Sequence, residues 1–206
     1  LLDNACAMLG DDRVGDALSN LHRVAQLVDR LGRLTRQINL FTHKTPVRTA
    51  AVPLRQAIDL SLMALAHRQQ DLSVQVDVLV SPPDLAVRAD EARLEQVLVN
   101  LLGNAFDAVS GKPARRVHIL GSQVGDRCLV SIADSGPGIR LDMLSALFEP
   151  FATSKQAGAG LGLGLTIARH IVGEFGGSLR GNNRPAGGAE FTIDLPLAER
   201  HLGGPS

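Results

Sequence analysis

Between Glu91 and Val109 the sequence EARLEQVLVNLLGNAFDAV has a helical period and two faces of opposite character. Leu94, Val97, Leu98, Leu101, Leu102, Ala105 and Ala108 recur at helical spacing and form a face directed to a core. Gln96, Asn100, Asn104 and Asp107 follow one another at four, four and three residues, so at about 100° per residue they share one narrow stripe. An apolar face must lie on another element, so this helix belongs to a layered domain. A polar stripe is usually just a solvated face. Solvated faces, however, are built from Lys, Glu and Arg, whereas Asn is a poor helix former, and two of them in mid-helix need a reason. An amide oxygen is a hard ligand that suits magnesium, which binds nucleotide phosphates with few protein ligands.

Other segments supply the layers. Residues 53–70 read as an amphipathic helix through Leu54, Ile58, Leu62 and Leu65. Residues 73–80 alternate and read as a strand, residues 81–83 as a turn, and residues 85–88 as a short strand. Asp90 is placed to cap the helix that follows it. Residues 115–122 and 127–133 predict a hairpin, residues 141–147 a short helix, and residues 163–175 a further helix. Two strands near 178–182 and 189–195 follow, the last with Ala189, Phe191, Ile193 and Leu195 on one face. Helices mixed with mainly antiparallel strands predict an α+β, two-layer α/β sandwich over residues 46–200, with residues 201–206 as a tail.

Residues 14–41 predict one long helix whose seam is Val14, Ala17, Leu21, Val24, Val28, Leu31 and Ile38. A core helix and a bundle helix that pairs across a dimer both fit this seam. Its regularity, and the break at Thr45-Pro46, favour the bundle. Residues 1–9 read as the end of a preceding helix, joined through Gly10-Asp11-Asp12, so residues 1–45 form part of a helical hairpin.

Of the 21 glycines, ten lie between Gly158 and Gly188, and that cluster points to a site built from backbone. Gly160-Leu161-Gly162-Leu163-Gly164-Leu165 opens a helix, where N–H groups unobstructed by side chains make a phosphate cradle. A flexible loop is the plainer reading. No Gly-Lys-Ser/Thr follows, so it is not a Walker loop. Asp134-Ser135-Gly136-Pro137-Gly138-Ile139 follows a strand; Asp134 can accept a hydrogen bond from an exocyclic amine, and the glycines let backbone approach a flat ligand. Alone, this pattern is more often an ordinary turn.

Charge excludes other classes. Lys+Arg and Asp+Glu are both 21, with no basic footprint for nucleic acid. No apolar run is long enough for a membrane span, and no signal peptide is evident. Cys6 and Cys128 make no metal-ligand spacing, and a reducing, cytoplasmic setting is expected. With Leu at position 1, the chain is expected to be part of a longer product.

Taken together, the order and spacing of these motifs resemble the catalytic domain of sensor histidine kinases, within the gyrase, chaperone, histidine kinase and mismatch-repair ATPase superfamily. Gln96–Val109 resembles the N box, Asp134–Ile139 the G1 box, Leu147–Phe151 the F box, Gly160–Leu165 the G2 box and Gly187–Phe191 the closing Gly-rich strand. The wording of residues 27–46 and 148–167 is similar to C4-dicarboxylate-type sensor kinases.

The resemblance implies a Bergerat-type ATP-binding fold, with ATP and Mg2+ as the bound species. It implies that Asn104 binds magnesium, with Asn100 beside it at the phosphates, and that Asp134 takes the adenine amine between Gly136 and Gly138. It implies backbone N–H donation from Gly162, Leu163 and Gly164. Asp107, Ile139, Phe151, Thr153, Gly160, Leu161 and Leu165 complete the implied nucleotide-contacting set. Residues 151–159 would form a lid, from which Lys155 either reaches a phosphate or stays solvated. Hydrolytic members of the superfamily carry Glu four residues before the magnesium Asn; this chain has Asn100, and an amide cannot take a proton from water.

That departure favours phosphoryl transfer to a protein histidine, with relay to a response-regulator Asp. None of the six histidines is followed by an acid, so the acceptor is expected upstream of Leu1. By resemblance the parent protein is a homodimer whose cytoplasmic portion includes this chain, and a membrane enters only through upstream segments. The competing readings are a non-catalytic, nucleotide-gated scaffold module and a hydrolytic ATPase.

Overall fold

The computed structural model describes residues 18–21, 24, 48–152 and 162–198. The chain divides into two compact units, Leu1–Thr45 and Pro46–Ser206. In the first unit the described residues 18–21 and 24 are helical, so most of the predicted seam lies outside the described residues.

The second unit is built from β1 (Ala50–Pro53), α1 (Leu54–Ala64), α2 (Ala66–Asp71), β2 (Gln75–Ser81), β3 (Ala86–Ala89), α3 (Glu91–Val109), β4 (Arg116–Val124), β5 (Arg127–Asp134), α4 (Gly164–Glu174), β6 (Ser178–Asn183) and β7 (Ala189–Pro196). A five-stranded sheet has the order β2-β4-β5-β7-β6, and β1 pairs with β3 in a separate two-stranded ribbon. The β4, β5, β7 and β6 neighbours are antiparallel, whereas β2 runs parallel to β4. A bridge between Val87 and Leu197 ties the ribbon to the end of β7.

One face of the sheet is covered by α1, α3 and α4. Val117, Ile119, Val130, Ile132, Ile193 and Leu195 point inward and are almost fully buried. They meet Leu94, Val97, Leu98, Leu101, Leu102, Phe106 and Val109 of α3, each with no exposed area. On the outer face, Asp77 opposes His118 and Leu79 opposes Leu120 in the β2–β4 register, and the two leucines are exposed. The period-2 alternation of β4 and β5 thus places one side of each strand in the core and the other in solvent.

Helix α3 begins and ends at the residues the sequence indicates. Asp90 caps it, its carboxylate accepting from the Arg93 N–H at 3.1 Å. Three expectations need correction. The helix expected over residues 53–70 breaks at Leu65, whose N–H turns back to the Leu62 carbonyl, so α1 and α2 are separate. The helix expected over residues 141–147 is a single 3-10 turn, Leu141–Met143, because no apolar stripe forms there: Leu141 is 81% exposed. Ala108 is only half-buried and faces the Asp134 turn rather than the core.

Candidate functional site

Strand β5 delivers Asp134 to the edge of the core, where the side chain is only 2% exposed. Its Oδ1 accepts the Gly136 N–H at 2.7 Å and the Ala189 N–H at 3.3 Å. Burial pushes the carboxyl above its ordinary range, and the two backbone N–H groups and the nearby Arg184 oppose that shift without cancelling it. A charge that costly to bury, held by backbone donors at the end of a strand, is the arrangement expected of a binding group rather than a structural one.

The backbone around Asp134 is fitted tightly. A Cβ on Gly136 would lie 2.8 Å from the Ala108 carbonyl oxygen, so the turn rests directly on α3. A Cβ on Gly188 would lie 1.9 Å from the Asp134 carbonyl oxygen. Asn183, at the end of β6, bonds both backbone groups of Ile139. Asp134, Gly136, Gly138 and Ile139 are therefore held together at the C-terminal part of α3, between Ala108 and Asn183.

Along α3, Asn100 and Asn104 lie half-buried on the stripe that also carries Asp107. Asn100 Nδ2 donates to the Gly164 carbonyl at 3.3 Å, which brings the start of α4 to the same face of α3. The N-cap residue of α4, Leu163, has an apolar side chain and makes no capping bond to the first-turn N–H groups. Gly162 has φ +68°, and a Cβ there would lie 2.6 Å from the Ala152 carbonyl oxygen. Phe151 has φ +66° and is 69% exposed, an unfavourable backbone for a bulky residue. Leu147 anchors the chain before it, packing on Gly181 and leaving no room for a Cβ there. Thr153, Lys155, Gly160 and Leu161 lie outside the described residues.

Asp107 is engaged within the protein: its carboxylate pairs with the Arg68 guanidinium of α2, both side chains partly exposed. The guanidinium lies over Gly103, where a Cβ would make an ordinary contact, 3.4 Å from Arg68 Nη1. Sequence reasoning missed Arg68, Ala108, Asn183, Gly188 and the Ala189 N–H as parts of this site. Only Gly188 and Ala189 carried a signal, through the Gly-rich turn before the last strand.

The donor set fits a nucleotide with magnesium. Asn104 offers a hard oxygen, the uncapped start of α4 offers N–H groups to anions, and Asp134 offers an acceptor to an amine. Among the described residues no group of three or more His, Cys, Asp or Glu is placed to hold a metal ion. A separate shallow cleft, lined by Phe148, Thr166, Arg169, His170, Gly173 and Glu174, contains none of the predicted site residues. Among the described residues, no helix is long and apolar enough to cross a membrane.

The family described as histidine kinase-, DNA gyrase B-, and HSP90-like ATPase matches residues 89–199. The C4-dicarboxylate transport sensor protein DctB of Pseudomonas aeruginosa is 34% identical over 194 residues, covering 94% of this chain and 32% of the relative. The protein of the same name from Rhizobium meliloti is 31% identical, covering 95% of this chain and 31% of the relative. The chain thus spans about a third of the length of these curated relatives. Among solved structures, full-length ShkA in complex with AMPPNP superposes with a TM-score of 0.76 at 26% identity, over 89% of this chain and 39% of that one.

Proposed function

Because the chain belongs to the histidine kinase-, DNA gyrase B- and HSP90-like ATPase family, among the sensor histidine kinases, we propose that it is the ATP-binding catalytic region of such a kinase. In this reading it delivers the γ-phosphate of ATP to a histidine of the same parent protein, for relay to a response-regulator aspartate. The observation that carries the reading is the convergence on α3. Asn100 bonds the first residue of α4 at one end, and Ala108 supports the buried Asp134 turn at the other. A nucleotide laid along that face would put its phosphates at the helix start and its base at the carboxylate.

Each residue then has a limited task. Asp134 accepts a hydrogen bond from the adenine amine, and Gly136 and Gly138 let backbone lie against the base. The N–H groups of Gly162, Leu163, Gly164 and Leu165 hold phosphate oxygens. Asn104 would be the protein ligand to Mg2+, which when bound neutralises phosphate charge. Asn100 cannot act as a base toward water; instead it fixes the start of α4 through the Gly164 carbonyl. With no base for water, acceleration comes from alignment and charge stabilisation. The P–O bond to ADP breaks as a P–N bond forms at the imidazole's unprotonated nitrogen, and the proton on the other ring nitrogen passes to solvent.

The acceptor histidine is proposed to lie on a helical segment outside the described residues, in a homodimeric parent whose catalytic portion is cytoplasmic and whose membrane anchor lies elsewhere. The test is transfer of labelled γ-phosphate from this chain to a separately made helical bundle that carries the acceptor. Labelled bundle, lost when Asn104 becomes Ala, is the expected result. Tight ATP binding with no transfer would overturn the catalytic reading and leave a nucleotide-gated module.

A further inference from the structure

Asn183 ends strand β6, and its side-chain amide serves both backbone groups of Ile139. Oδ1 accepts the Ile139 N–H at 2.6 Å, and Nδ2 donates to the Ile139 carbonyl at 2.7 Å. One side chain thus supplies the pairing that a neighbouring strand would give, to a residue that lies in no strand. Ile139 closes the turn that Asp134 opens. Gly138, at φ +81°, faces the same amide, and a Cβ there would lie 2.7 Å from Asn183 Oδ1. The neighbouring Arg184 Nη1 reaches the Asp134 carbonyl at 3.4 Å, and Ala189 N–H reaches the Asp134 carboxylate across the hairpin. Both ends of the turn are therefore fastened to the single β6–β7 hairpin.

From this geometry we propose that Asn183 is a positioning residue for purine recognition: it holds the Gly136–Ile139 backbone at the height where the Asp134 carboxylate meets an exocyclic amine. The proposal rests on reading the site as an adenine-nucleotide pocket. Asn183 is exposed, so water replaces its bonds when they are lost. Its contribution then falls on where the turn sits more than on global stability. That separates it from Gly188, whose replacement would press on the Asp134 carbonyl itself.

The experiment compares the full chain with Asn183→Ala and Asn183→Ser, titrated with ADP and with GDP. Amide hydrogen exchange of Ile139 is measured on the nucleotide-free protein. Asn183→Ala is expected to bind ADP roughly tenfold more weakly, to bind GDP with little change, and to exchange the Ile139 amide faster, with its thermal midpoint close to that of the unaltered chain. Asn183→Ser can serve one of the two groups at a time and is expected to be intermediate in both readouts. An unchanged ADP-to-GDP ratio, or unchanged exchange at Ile139, overturns the proposal. An unaltered chain that binds neither nucleotide overturns the functional reading, and the selectivity role with it, whatever Ile139 exchange shows.

Discussion

The α-carbon of Gly188 faces the carbonyl oxygen of Asp134 so closely that an added Cβ would lie 1.9 Å from it, in a backbone with φ +84°. No rotamer relieves that contact, because both partners are backbone. Gly188→Ala is expected to lower the unfolding free energy by roughly 2–4 kcal/mol through strain and overpacking. Urea unfolding measures this. ADP affinity should fall at temperatures where the variant is still folded, since the displaced carbonyl belongs to the residue that would read the base.

Asp134→Asn separates binding from stability. The amide keeps Oδ1 as acceptor for the Gly136 and Ala189 N–H groups and removes the buried charge. The folded-state pKa of Asp134 is raised by burial. Its favourable contribution is therefore full below the unfolded-state value and is lost as pH rises through the folded-state value. The variant should match the unaltered chain in stability in acid and exceed it at neutral pH, with the gap opening across that window. Adenosine binding should move the opposite way, weakening by roughly 1–3 kcal/mol at neutral pH. Denaturant melts at several pH values, beside adenosine titrations, check both signs.

The Arg68–Asp107 pair is partly exposed, so its removal should change stability by less than about 1 kcal/mol. Nucleotide binding should respond more. Without Arg68, the Asp107 carboxylate loses a guanidinium partner, and its negative charge, on the same α3 stripe as Asn100 and Asn104, acts on a nucleotide in proportion to the nucleotide's charge. Arg68→Ala is expected to weaken ATP most, ADP less and adenosine not at all. Adding Asp107→Asn should recover most of the loss. A uniform loss across the three ligands would contradict this reading.

Asn104 and Asn100 should divide in their magnesium dependence. ADP titrations with and without Mg2+ should show enhancement by the ion in the unaltered chain and none in Asn104→Ala. Asn100→Ala should retain the enhancement while binding more weakly overall, because it loses the bond to the Gly164 carbonyl rather than an ion ligand.

What was readable in the chain followed from local period. The bounds of α3 and its Asp90 cap are set by i, i+3, i+4 apolar spacing and a side chain three residues from its target. The seat of Asp134 follows from β5, whose last residue continues an alternating strand into the core. The unread parts depend on distant partners. Arg68 and Asp107 are separated by 39 residues, and Asn183 and Ile139 by 44. Nothing near Asn183 separates it from any polar residue at the end of an edge strand. Strand β1 was missed because only Val52 of its four residues is buried, which leaves no alternation to detect. The parallel pairing of β2 with β4 is likewise a matter of topology, not of pattern.

Gly162 rests against the carbonyl of Ala152. The described residues on either side of positions 153–161, Ala152 and Gly162, thus lie against each other in the fold. Any peptide joining those ends closes a circuit whose endpoints the domain already sets, and the entropic penalty of a longer one grows only with the logarithm of its length. Descendants of this scaffold can therefore lengthen, shorten or rewrite that stretch while the sheet and its helices keep their register and the Asp134 turn keeps its place.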